Sequence, residues 1–213
     1  MRILLLALIF MSVITQTVWG RPVSYPGGYT AILTNDGSQH SALFHYSPSA
    51  SYSIGLRSEY RREGEYTLSS IQLNNLLKRW NQKDSQANLY LKSGLGYADR
   101  NSSRLEDDSS LAGFTGLAAD WESRRYFTSY ENRYIEAGSV DDSFMQSIRM
   151  GIAPYLAGYG ELHTWLMIKV DHEPENDDTF TVTPLVRFFK SVYLLEAGIS
   201  NHNDVLFNMT IRF

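Results

Sequence analysis

The chain has 213 residues, 13% of them aromatic, no Cys and a formal charge of −4. The mildly acidic balance argues against a nucleic-acid partner, and the absence of Cys excludes disulfides and a lipid-modified N-terminus. After the N-terminus, no run approaches the about 18 apolar residues that a membrane helix needs.

The N-terminus reads as an export signal. Met1-Arg2 is a minimal positive region, and Ile3 to Ile14 is almost unbroken apolar sequence. Val18-Trp19-Gly20 then places small residues at the −3 and −1 positions of a cleavage site. A signal peptide over 1–20 is expected, with the mature domain over 21–213. Removing 1–20 leaves 193 residues and a charge of −5, because Arg2 is lost.

The rest reads as about twelve strands: 29–35, 39–46, 51–61, 66–80, 86–98, 111–122, 125–136, 143–156, 160–171, 178–189, 191–199 and 204–213. A ten-strand arrangement with 29–46 outside the barrel is the alternative. Only 68–80 has an ambiguous period, with Ile71, Leu73, Leu76, Leu77 and Trp80 spaced partly as in a helix. One set of connections is short, as at 47–50, 81–85, 123–124, 157–159 and 190. The alternate set is longer or more polar, as at 36–38, 62–65, 99–110, 137–142, 172–177 and 200–203. A transmembrane barrel has short periplasmic turns and longer outer loops, and an even strand number puts both termini in the periplasm.

The parity of each strand sorts its side chains. Tyr52, Ile54, Leu56 and Tyr60 are predicted to face out, so Arg57, Glu59 and Arg61 face in. The same rule turns inward Lys92, then Arg125, Glu131 and Arg133, then Arg149, then Glu161 and Lys169, then Arg187, Glu196 and Arg212. Asp120 and Glu122 join them. A cation on the lipid face at the membrane midplane costs about 2–4 kcal/mol, which enforces this parity. The lumen is therefore expected to be charged and Arg-rich. Either its charges pair and close it, or the excess cations line a narrow path for small anionic solutes.

In the final strand Val205, Phe207, Met209, Ile211 and Phe213 alternate with Leu206, Asn208, Thr210 and Arg212. This apolar alternation ending on an aromatic resembles the C-terminal signature of bacterial outer-membrane β-barrel proteins. The resemblance implies an all-β fold, an antiparallel transmembrane barrel in the cell outer membrane. It also implies outer-membrane lipid and lipopolysaccharide as surroundings, and assembly machinery that reads Phe207, Met209, Ile211 and Phe213. Size and strand count are similar to small twelve-stranded porins for acidic sugars, whose lumens are Arg-rich. Tyr25-Pro26-Gly27-Gly28-Tyr29, His45-Tyr46-Ser47-Pro48 and 72–80 are similar to an uncharacterised proteobacterial family associated with heavy-metal resistance genes.

His45-Tyr46-Ser47 also resembles the His-x-Ser of outer-membrane lipid A deacylases, with Glu59 as the acid. A hairpin turn at 48–50 would put His45 opposite Ser53 and Glu59 opposite Gln39, too far apart for a triad. The acidic runs at 106–108, 171–178 and 202–204 lack the spacing of a Ca²⁺ loop. No metal set, phosphate loop or cofactor motif is present in the sequence. The expectation is a non-enzymatic, porin-like channel, with a plugged structural barrel as the alternative and a lipid hydrolase at His45 and Ser47 as a second.

Overall fold

A computed structural model describes residues 22–101, 107–158 and 160–213. The expected signal peptide and Glu106 lie outside the described residues. Twelve strands form one closed antiparallel barrel. They are β1 (Tyr29–Asn35), β2 (Gln39–Tyr46), β3 (Tyr52–Arg61), β4 (Tyr66–Asn81), β5 (Ser85–Arg100) and β6 (Asp108–Ser123). The ring continues with β7 (Tyr126–Glu136), β8 (Asp142–Ile152), β9 (His163–His172), β10 (Phe180–Lys190), β11 (Tyr193–Ile199) and β12 (Val205–Arg212).

Each strand pairs with its neighbours in sequence, and β1 closes the ring on β12, from Thr30 opposite Arg212 to Asn35 opposite Phe207. Closure leaves no unpaired strand edge. Both β1 and β2 belong to the wall, so the ten-strand alternative is ruled out. The start of β1 and the end of β12 lie at one rim, called here the terminal end; the opposite rim is the far end.

The period of two produces two chemically different surfaces. Outward side chains such as Leu56, Ile71, Leu95, Leu111, Ile168, Val205 and Phe207 are exposed and apolar, although a water-soluble fold would bury them. Inward neighbours such as Glu59, Asn74, Asn88, Arg187, Glu196 and Asn208 are buried and polar. The ambiguous stretch in β4 has a simple cause. The pairing with β5 shifts between Leu76 and Lys78, leaving Leu77 as an extra residue. Parity reverses at that bulge, so Leu73, Leu77 and Trp80 all reach the outer surface.

One connection departs from expectation. β8 stops at Ile152 rather than at 156, because Pro154 has no N–H to give to the ladder. The link to β9 is consequently the stretch 153–162, the longest connection at the terminal end. The lumen is also less uniformly polar than a porin interior. Tyr66, Leu68, Ala98, Ala112, Phe114 and Ile135 form one apolar cluster inside the wall, and Trp165, Met167, Leu185 and Leu206 belong to another.

Candidate functional site

The lumen brings together charged groups from strands far apart in the ring. Glu59 on β3 has no exposed surface. Its carboxylate accepts from Arg57 on the same strand at 2.7 Å and from Arg133 Nη1 on β7 at 2.8 Å. Arg133 Nη2 binds the other carboxylate oxygen, making the pair two-pronged. Arg61 stands 3.7 Å away. One carboxylate thus meets three guanidinium groups, and Arg133 also lies over the Phe114 ring at 5.3 Å.

Glu196 on β11 forms a second cluster. Arg187 on β10 lies 2.6 Å from it and Arg149 on β8 lies 3.0 Å from it. Asn208 Nδ2 donates to the same carboxylate at 2.8 Å, and Arg187 covers the Phe127 ring at 4.6 Å. Lys92 on β5 reaches Glu131 on β7 at 2.6 Å. Lys169 on β9 bridges Asp171 and Asp36, each at 3.1 Å.

Because β3 and β7, and β8 and β11, stand several strands apart in the ring, the Arg133–Glu59 and Arg149–Glu196 contacts reach across the lumen. Lys92 and Glu131 span only β6, and Arg187 and Glu196 face each other on neighbouring strands. A cavity of about 300 Å³ remains among them, lined by residues of every strand. Nearer the far end a second cavity, of about 490 Å³, is lined by Asp36, Glu63, Glu65, Asp171, Glu173, Asp177, Asp178 and Asp204 among others.

The far mouth is laced by its loops. Glu173, just past β9, reaches Arg61 at the end of β3 at 2.7 Å, and these two strands stand on opposite sides of the ring. Asn176 Nδ2 donates to the same Glu173 carboxylate at 3.0 Å, and the Asp177 N–H donates to Glu63 at 3.0 Å. Arg62 pairs with Asp204 at 3.1 Å. In the turn 36–38, burial alone would raise the Asp36 pKa. The Lys169 ammonium and the Ser38 and Gln39 N–H groups outweigh burial and hold the carboxyl below its usual value.

Of the residues assigned to the lumen by parity, Arg57, Glu59, Arg61, Lys92, Glu131, Arg133, Arg149, Lys169, Arg187, Glu196 and Arg212 lie on the inward face. Arg125 and Glu161 do not join them. Arg125 falls in the two-residue turn between β6 and β7 and is exposed. Glu161 falls in the loop that Pro154 opens, where its carboxylate accepts the Gly158 N–H at 2.6 Å. Sequence reasoning missed Asp36 and Glu173 as lumen groups, because nothing local marks a loop that folds inward.

The hydrolase constellation does not assemble. His45 stands opposite Gly55 and Glu59 opposite Ser41, two positions from the expected register. The turn runs over 47–51 rather than 48–50, and Ser47 pairs with the segment before β1, donating its N–H to the Gly28 carbonyl and accepting the Gly27 N–H. The Glu59 carboxylate is held by arginines, and Ser47 Oγ accepts the Ser24 N–H at 3.0 Å. Among the described residues, no group of three or more His, Cys, Asp or Glu is arranged to hold a metal ion.

No protein-family model and no curated protein sequence matches the chain. Solved structures do. The KdgM porin aligns with a TM-score of 0.51 at 5% identity, over 87% of this chain and 98% of that one. The KdgM porin in complex with disordered oligogalacturonate aligns over the same shares at 0.50 and 5%. Pseudomonas aeruginosa OccK8 (OprE) aligns at 0.45 and 4%, over 85% of this chain and 62% of that one. The chain has the fold of the bacterial outer-membrane β-barrels.

Proposed function

We propose that this protein is an outer-membrane barrel acting as a narrow passive channel, with the terminal end in the periplasm. The observation that carries the reading is the cavity of about 300 Å³ left among the lumen ion pairs and lined by residues of every strand. The apolar outer face supports the location. So do aromatic residues exposed near both rims, including Tyr29, Tyr126, Tyr193 and Phe213 at one and Tyr60, Tyr97 and Phe180 at the other.

Six cations and seven acids line the cavity, so the resting lumen has little net field and its charge selectivity is weak. The cations remain the groups a small anionic solute would engage. Arg149 and Arg187 would exchange Glu196 for a solute carboxylate as it passes. Outer-membrane lipid, lipopolysaccharide and the barrel-assembly machinery are the proposed surroundings and helpers, the last reading Phe207, Met209, Ile211 and Phe213.

Swelling of liposomes that contain the refolded mature protein tests this reading. Entry of small sugars, neutral and acidic alike, is the expected result. Liposomes that hold folded protein and yet do not swell would instead support a structural barrel. The crossing of the far mouth by Arg61 and Glu173 favours that second reading.

A further inference from the structure

The seven residues 22–28 take no part in the barrel wall, yet they are held at the terminal mouth. Tyr25-Pro26-Gly27-Gly28 forms a type II turn. Proline presets φ at the second position, Gly27 at the third has φ of +84°, and the Gly28 N–H donates to the Tyr25 carbonyl at 3.0 Å. The turn sends residues 22–24 back into the lumen. Val23 is 2% exposed, clustered with Tyr90 and Ala118, with Leu76 alongside.

The wall meets this segment with matched polar groups. Gln72 Nε2 donates to Asn74 Oδ1 at 2.7 Å, Asn74 Nδ2 donates to Ser53 Oγ at 2.9 Å, and Ser53 Oγ donates to the Pro22 carbonyl at 2.7 Å. Buried Ser47 takes the Ser24 N–H on its hydroxyl and the Gly27 N–H on its carbonyl, the latter at 2.8 Å. Pro22 itself lines the lumen cavity. Ring closure needs none of this, since β1 begins at Tyr29.

We propose that residues 22–28 are a tethered plug that narrows the terminal mouth at rest, and that the channel opens fully when 22–24 withdraw from their cradle. The plug is held by one buried valine and a few neutral hydrogen bonds. Against these stands the entropy of fixing three residues, a term of similar size, so docked and withdrawn states are both within reach. The inference rests on the channel reading.

Planar-bilayer recordings of the mature protein, beside a variant lacking 22–24, test it, with the heat-modifiable gel shift confirming that both are folded. The truncated form is expected to show severalfold higher conductance. Equal conductance in the two would overturn the plug. Silence from both folded proteins would overturn the channel reading, leaving nothing to gate. A second variant, Ser24→Cys with Ser47→Cys, exploits a chain that has no other thiol. Its oxidised form is expected to stay at the resting level, with opening bursts restored by a reducing agent. Bursts that persist in the oxidised form would equally overturn the proposal.

Discussion

The two mouths of the barrel are closed by different physics. At the far end, charges do the work: Arg61 with Glu173, Lys169 with Asp36 and Arg62 with Asp204 tie loops together across the opening. At the terminal end the contacts are a buried valine, a proline carbonyl and neutral serine and asparagine hydrogen bonds. Ion pairs respond to pH and, where exposed as at Arg62, to salt, whereas neutral hydrogen bonds and apolar burial hardly do. The comparison therefore predicts one responsive mouth and one that is indifferent to both.

The largest expected effect lies between the mouths. Glu59→Ala would leave Arg57, Arg61 and Arg133 without their shared counter-charge. Removing one partner of a buried pair costs about 3–5 kcal/mol. Urea unfolding in detergent, followed by tryptophan fluorescence, should register a loss of that order. Unchanged stability would mean that the three arginines are solvated where they stand.

Next comes the seam at the terminal end. Phe213 and Tyr29 exchange backbone hydrogen bonds of 3.0 and 2.7 Å, and the Phe213 ring lies 6.3 Å from that of Phe44. Deleting Phe213 removes the last rung that closes β12 on β1. The expected outcome is a clear drop in the heat-modifiable, membrane-inserted fraction in cells. Full assembly of that variant would count against an assembly signal at the C-terminus.

Acid separates the mouths. A carboxyl whose folded pKa lies below its unfolded one stabilises fully above the unfolded value and loses that contribution as pH falls through the folded one. Asp36 is such a group, so its tie to Lys169 should hold from neutral pH down to about 4 and loosen below. Hydrogen exchange at Gly37 and Ser38 should rise on acidification relative to Ser24 and Gly27, after correction for intrinsic rates. Equal behaviour at both ends would erase the distinction. The smallest effect belongs to Arg62, whose side chain is 43% exposed. Arg62→Ala should cost at most about 1 kcal/mol, and nothing at high salt.

Much of this architecture was legible because a barrel wall repeats one local rule. The limits of β1 and β2 follow directly from alternation bounded by Asp36-Gly37-Ser38 and Pro48, and parity turned Glu59 and Arg133 to the same interior. It could not tell that these two meet, because that depends on which strands closure sets across the lumen. Local breaks misled it wherever chain chemistry overrode the period. Pro154 cut β8 short and left Glu161 in a loop, while the bulge at Leu77 imitated a helix. The proline and paired glycines before β1 were visible, but their role appears only once Ser47 and Ser53 are seen to receive the segment.

The lumen charges are paired around a narrow path. Single-channel recording of residues 21–213 under a salt gradient reads this pairing. Paired charges predict a small conductance with a reversal potential close to zero. A large, steady conductance with strong anion selectivity would mean that the arginines stand free of their carboxylate partners.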